Sequence, residues 1–343
     1  MSLVLGLLIF SFCLTSSLII PFINTLYRLK FQRQEQVTKD AFGGHSKIFD
    51  HFHSHKAGVP VGGGILIIAV ISLVFAAIFP ILKYLGIVIT NVYPIVPEIT
   101  ILFFSLLSFG AIGLYDDIKK FFGIRKTKFF GLRMRHKLLL QVASGLIIGM
   151  MMYFWLGINF LNIPFIGQIY LGPAFILYAS FVIVAFANAV NITDGLDGLA
   201  SGLLLFCLFG LWVLSASILD TTLSFFVALL IGSLIAFLYF NTYPARIFMG
   251  DVGALAFGAS LAVMGLLLGK TLALVVIGGI FVAEIGSSAI QLLSKRFRHK
   301  KAFPVAPLHL WFQMIGWQEP KIVMRAWMTG IILTAIGVWL AIL

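Results

Sequence analysis

FILYASFVIVAFANAVNITDGLDGLASG, residues 175–202, joins an apolar run to two asparagines, two aspartates and two Asp–Gly steps. The first half, with the residues just before it, is long enough to cross a bilayer core as a helix. The second half carries the signals that end one. Asn188, Asn191, Asp194 and Asp197 are spaced by three. On an unbroken α-helix each such step turns about 300°, so the set would drift round half the cylinder. Gly195 and Gly198 argue against an unbroken helix. The reading is a helix ending near Asn191 and a tight TDGLDG turn that aims amide and carboxylate oxygens into a common cavity. A plain Asx–Gly turn between two spans is the bland alternative.

The rest of the chain has the same character. Of 343 residues, 61% are hydrophobic and 10% are charged, with mean hydropathy +1.08. Soluble chains carry about a quarter charged residues, so a soluble core is excluded. Apolar stretches predict helices at 3–27, 60–82, 99–115, 138–156, 172–190, 199–216, 223–240, 253–269, 272–293 and 323–343. The fold class is an all-α polytopic membrane protein of about ten transmembrane helices, in one domain spanning 1–343. The first span reads as an anchor with its N-terminus outside. The uncharged connection 157–172 predicts a short hairpin near the outer surface.

Charge sets the orientation. Four connections hold 22 of the 24 Lys and Arg residues: 28–59, 116–137, the one carrying Arg246, and 294 to the start of the last helix. Ten spans with both termini outside put all four in the cytoplasm, as the positive-inside rule asks. The net charge of +12 therefore points to lipid head groups and anionic substrates, with no nucleic acid implied. Cys13 and Cys207 fall inside spans and read as packing residues.

Five of the twelve acids lie at cytoplasmic helix ends in this topology: Asp116 and Asp117 in GLYDDIKKFFG, Asp194 and Asp197 in the opening stretch, and Asp251 in NTYPARIFMGDVG. Converging carboxylates raise one another's pKa unless cations intervene. Mg²⁺, with oxygen ligands and phosphate partners, is the natural neutraliser. Each aspartate alone reads as a helix end facing water, whereas five on one face beside Gly-rich turns read as a site. Lys56 precedes AGVPVGGG, whose glycines suit a backbone approach to phosphate, or only a flexible lead into the second span. Lys137 reads as a phosphate contact or a snorkelling lysine. His51, His53 and His55 alternate in DHFHSHK and are taken as a solvated loop. Glu284, inside the ninth span, is expected to pair within the bundle or line a cavity, because an acid there costs about 2.5–3.5 kcal/mol on insertion scales. His309 stands in an aromatic-rich loop, where a lone histidine is usually structural.

Four segments taken together, GLYDDIKK, NAVNITDGLDGLASG, FNTYPARIFMGDVGALAFG and APLHLWFQMIGWQEPKIVMRAW, resemble the polyprenyl-phosphate N-acetylhexosamine-1-phosphate transferases. GWQEPKIVMRAW favours the branch using a UDP-linked muramoyl-pentapeptide over the branch using UDP-N-acetylglucosamine. The resemblance implies transfer of the sugar phosphate to polyprenyl phosphate at the inner membrane, with Mg²⁺, forming lipid I and releasing UMP in peptidoglycan synthesis. It implies a catalytic set of Asp116, Asp117, Asp251 and His309, with Asp251 binding the metal. It implies substrate contacts from Lys56, Lys137, Asn188, Asn191, Asp194, Asp197, Asn241 and Phe248, the last stacking on uracil. A homodimer is implied as well. His309 matches the first of three consecutive histidines usual in the family. Leu310 and Trp311 replace the other two, and Gln313 stands where an acid is usual. A sister transferase with another UDP-sugar, a transporter and an inactive homologue stay open at this point.

Overall fold

The computed structural model describes residues 2–32, 56–86, 92–122 and 134–343. His51, His53 and His55 lie outside them. The helices are α1 (Ser2–Arg28), α2 (Gly63–Tyr84), α3 (Ile95–Phe122), α4 (Met134–Leu156), α5 (Ala174–Thr193), α6 (Leu199–Ser217), α7 (Thr221–Asn241), α8 (Gly250–Leu267), α9 (Thr271–Ile277), α10 (Gly279–Arg298), α11 (Leu308–Met314) and α12 (Glu319–Ile342). The predicted hairpin is present as antiparallel β1 (Phe160–Ile163) and β2 (Gly167–Tyr170), with Phe160 opposite Tyr170. Among the described residues, nine helices are long and apolar enough to cross a membrane. This is the architecture of a polytopic membrane protein.

The ninth predicted span needs correction as a straight rod. It is two helices, α9 and α10, meeting at 84°. The break falls at Gly278–Gly279, and glycine pairs are a recognised cause of sharp kinks. Alone, the seven residues of α9 rise only about 10 Å, too little to cross a bilayer core. The pair still carries the chain from one end of the bundle to the other. Asp251 opens α8 at the end where α3 places Asp116, so Leu267 closes α8 at the opposite end. The chain after α10 is back at the first end, because Glu319 there meets Lys56. The same logic places the termini. Phe31, just past α1, accepts the Val61 N–H, and Val61 pairs with Phe248 at the Asp251 end. Ser2 and Leu343 therefore both lie at the end away from Asp251, and a cavity lined by Leu343, Lys270 and hairpin residues 162–167 sits there too.

Helix α8 is the axle. Its apolar residues run right round the cylinder, and 94% of its span is buried. It lies along α3 on one side and α5 on another. Small residues permit this, since helices in lipid associate through close packing without a hydrophobic drive between them. A Cβ added at Gly64 of α2 would sit 2.3 Å from the Gly253 Cα of α8.

Candidate active site

Two charge clusters meet at the Asp251 end. In the first, α3 contributes Asp116, Asp117 and Lys120, α4 contributes Lys137, and α8 contributes Asp251. Lys120 Nζ lies 3.1 Å from Asp116 Oδ2, 3.8 Å from Asp117 Oδ1 and 2.8 Å from Asp251 Oδ2. Lys137 Nζ donates to Asp116 Oδ2 at 3.0 Å and also to Asp251 Oδ2. Asp116 and Asp251 thus share both ammoniums. Asp117 faces another way: its Oδ2 accepts the Val252 N–H at 3.1 Å and so caps the first turn of α8. Gly250, at φ +77, turns the chain into that helix. Asp116 and Asp117, adjacent in sequence, therefore serve different ends.

The second cluster centres on Lys56. Its ammonium lies 2.7 Å from Asp197 Oδ1 and 2.6 Å from Glu319 Oε1, and it donates to the Gly195 carbonyl at 3.1 Å. Asp197 Oδ2 accepts the Ala245 N–H at 2.9 Å, clipping the TDGLDG turn to the segment before Asp251. The Phe248 ring lies 5.8 Å from Lys56 Nζ. Asp194 stands between the clusters. Burial, then the Asp251 carboxylate, holds its carboxyl well above the usual carboxylate range, against the pull of Lys56. Helix α5 runs on to Thr193, and the turn occupies 194–198, close to expectation.

His309 joins from the far side. A Cβ added at Gly195 would lie 2.6 Å from its Nε2, so the ring abuts the same turn. Its Nδ1 is 3.0 Å from Glu284 Oε2, and its backbone N–H donates to Glu284 Oε1 at 3.1 Å. The acid inside the broken span is thus paired, as its position led us to expect. With Nδ1–H held by the carboxylate, a neutral ring presents Nε2 as an acceptor toward the turn. We expect Glu284→Gln to lower turnover about tenfold and stability by about 1–3 kcal/mol, since a buried charge-assisted pair is lost. Turnover and melting temperature in detergent check this.

Some predicted residues are engaged elsewhere. Asn188 donates to Gln141 Oε1 of α4 and to its own helix at Val184 O, both at 2.8 Å. Asn241 is buried, donating to Ile247 O at 2.9 Å and accepting from Ser201 Oγ at 2.6 Å. Asn191, half-exposed, sits in the last turn of α5. The amides of the glycine cluster at 62–64 are already engaged within the protein. Gly62 and Gly63 donate to Phe248 O at 3.1 and 2.9 Å, and Gly64 donates to Met249 O at 3.0 Å. That corrects the phosphate-loop alternative: this segment docks against the Asp251 turn. Leu310 and Gln313 are both buried, and Trp311 packs on Phe303 with centroids 5.9 Å apart. Lys120 and Glu319 were missed as site residues, because one reads as interfacial charge and the other as a helix-start acid before Pro320.

Three carboxylates around two ammoniums form a hard-oxygen donor set that already attracts cations. Among the described residues, no three His, Cys, Asp or Glu side chains are arranged to hold a metal unaided. Mg²⁺ does not require that, since it is commonly bound through one or two carboxylates, water and substrate phosphates. The donor chemistry fits it.

A multi-helix membrane protein with this polar end is the class that fold and site define. The chain matches Glycosyl transferase family 4 over residues 99–269. It is 38% identical over 303 residues to a phospho-N-acetylmuramoyl-pentapeptide-transferase of Desulfotalea psychrophila, covering 82% of this chain and 79% of that one. It is 34% identical over 342 residues to the protein of that name from Staphylococcus saprophyticus, 98% of each. The Bacillus subtilis protein of the same name is 30% identical over 330 residues, 96% of this chain and 94% of that one. The chain belongs to the phospho-N-acetylmuramoyl-pentapeptide-transferase family.

Proposed function

We propose that the chain transfers phospho-N-acetylmuramoyl-pentapeptide from its UDP-linked donor to polyprenyl phosphate, forming lipid I and releasing UMP in peptidoglycan synthesis. The observation that carries this reading is the meeting of the two lysine–carboxylate clusters at one end of the bundle, built on residues the family resemblance had marked with Lys120 and Glu319 added to them. In this reading that end faces the cytoplasm, both termini lie outside, and the chain sits in the cell's inner membrane. The four basic connections support that orientation. An amphiphilic acceptor and a water-soluble donor must meet at the interface, which suits acids at helix ends better than mid-membrane.

An oxygen of the acceptor phosphate attacks the β-phosphorus of the donor. The bond from that phosphorus to the UMP oxygen breaks, and UMP departs. Asp116, set between Lys120 and Lys137, positions the acceptor phosphate. The two lysines, now shared by carboxylates, are placed to pair with the incoming phosphates and reduce the repulsion between two anionic reactants. Lys56 and Phe248 hold the nucleotide end of the donor, and Asp194 and Asp197 shape the turn beside it. His309, oriented by Glu284, presents Nε2 to that turn. Asp251, with Asp116 beside it, would hold Mg²⁺ together with substrate phosphates; when bound, the ion would screen the reactants and stabilise departing UMP.

The test is transfer from radiolabelled UDP-linked muramoyl-pentapeptide to polyprenyl phosphate by the purified protein. We expect a lipid-linked product, a fall of about a hundredfold or more when EDTA removes divalent ions, and turnover of UDP-N-acetylglucosamine lower by about a hundredfold. Equal use of both donors would move the assignment to the sister transferases. No product with either would remove it.

A further inference from the structure

We infer that Glu319 is a positioning residue for the donor half of the site: the side chain that fixes Lys56 and the TDGLDG turn in one geometry. The inference rests on the transferase reading and adds to it a residue that sequence patterns assign only to the start of a helix. Glu319 lies in the first turn of α12, directly before Pro320. An acid there ordinarily faces water and complements the helix dipole. Here the residue is 7% exposed. Its Oε1 lies 2.6 Å from Lys56 Nζ and accepts the Asp197 backbone N–H at 2.6 Å. One oxygen thus joins the start of the last helix, the approach to α2 and the turn after α5.

Three oxygens surround the Lys56 ammonium: Glu319 Oε1 and the Gly195 carbonyl as hydrogen-bond acceptors, and Asp197 Oδ1 as an ion-pair partner at 2.7 Å. Two carboxylates on one ammonium over-neutralise it, so charge balance does not require Glu319. Buried ion pairs are also weak sources of stability, and apolar replacements are often neutral or better. What Glu319 supplies is direction. It holds the ammonium 5.8 Å from the centre of the Phe248 ring, and it fixes the backbone of the turn whose Gly195 meets His309. Trp327, two turns further along α12, donates to the Gly198 carbonyl at 3.2 Å and secures the end of the same turn. A single helix therefore holds the last two residues of the turn, one contact charged and one neutral.

The experiment uses the purified full-length chain, wild type, Glu319→Gln and Glu319→Ala. KM for the UDP-linked donor, KM for polyprenyl phosphate, kcat and melting temperature are measured for each, with UDP binding by calorimetry beside them. Glu319→Ala should raise donor KM and weaken UDP binding by about tenfold or more, while acceptor KM stays within about twofold. Glu319→Gln keeps an oxygen for the Asp197 N–H and should fall between wild type and Ala. Lys56→Met added to Glu319→Ala should weaken UDP binding little further, because the two act as one unit. Unchanged donor KM and UDP affinity in Glu319→Gln and Glu319→Ala would overturn the inference, as would a loss confined to kcat that tracks the folded fraction. If Ala does not fold, Gln decides. A wild-type protein that binds UDP but transfers nothing would count against the transferase reading, and the UDP-binding arm would still decide on Glu319.

Discussion

Asp251→Asn should leave a folded protein whose transfer rate is lower by about a thousandfold or more, the scale of removing a charge aimed at phosphoryl chemistry. The carboxylate is shared by Lys120, at 2.8 Å, and Lys137. Asparagine has nearly the same shape but no charge. Two ammoniums then face Asp116 and Asp117 alone, and the oxygen set loses the anionic member that α8 contributes. The fold should survive, because the Asp251 side chain does not hold its own helix in place. Gly250 makes the turn, and Asp117 caps Val252. Asp117→Asn should behave differently, losing activity and a charge-assisted cap together, with a lower melting temperature. Single-turnover transfer and thermal melts in detergent separate the two. Near-normal turnover in Asp251→Asn would take that residue out of the chemistry.

Much of this arrangement was legible in the sequence because it depends on local quantities. Apolar length gave the spans, and turn residues gave the hairpin. The helix-end positions of Asp116, Asp194 and Asp251 gave the end of the bundle at which the site forms. What escaped depends on partners distant in the chain. Nothing within GVPVGGG shows that its amides bond to Phe248 and Met249, so the segment reads equally well as a phosphate loop. Asn188 reads as one of the oxygens aimed into a common cavity until Gln141 is seen beside it on α4. Glu319 reads as a helix start until Lys56 arrives. The bend at Gly278 is intermediate: the glycine pair was visible, but an apolar run does not say whether such a pair is straight or broken. The broken pair still begins and finishes at opposite ends of the bundle, as a straight span would.

Gly113→Ala should reduce activity about a hundredfold without touching a charged group, since misplacing reacting groups by about 1 Å has effects of that size. Gly113 lies one turn before Asp116 and Asp117, on the face of α3 pressed against α8. A Cβ there would fall 2.2 Å from the Asp251 carbonyl oxygen, 2.4 Å from its carbon and 2.5 Å from Val252 N. All three are backbone atoms in the first turn of the axle helix, which is buried on every side and has no room to retreat. The two helices must part, and the parting occurs between Asp116 on one and Asp251 on the other. Overpacking of this kind also destabilises by about 1–3 kcal/mol, so melting temperature should fall as well. Gly110, one turn earlier on the same face, is the control. A Cβ there would meet the Cδ1 of Ile68 at 3.0 Å, a side-chain tip that can rotate away, so Gly110→Ala should stay within about threefold of wild-type turnover. Equal tolerance at both positions would mean that the distance between α3 and α8 does not govern the site. A loss at Gly113 alone would mean that the carboxylates work only while the two helices touch backbone to backbone.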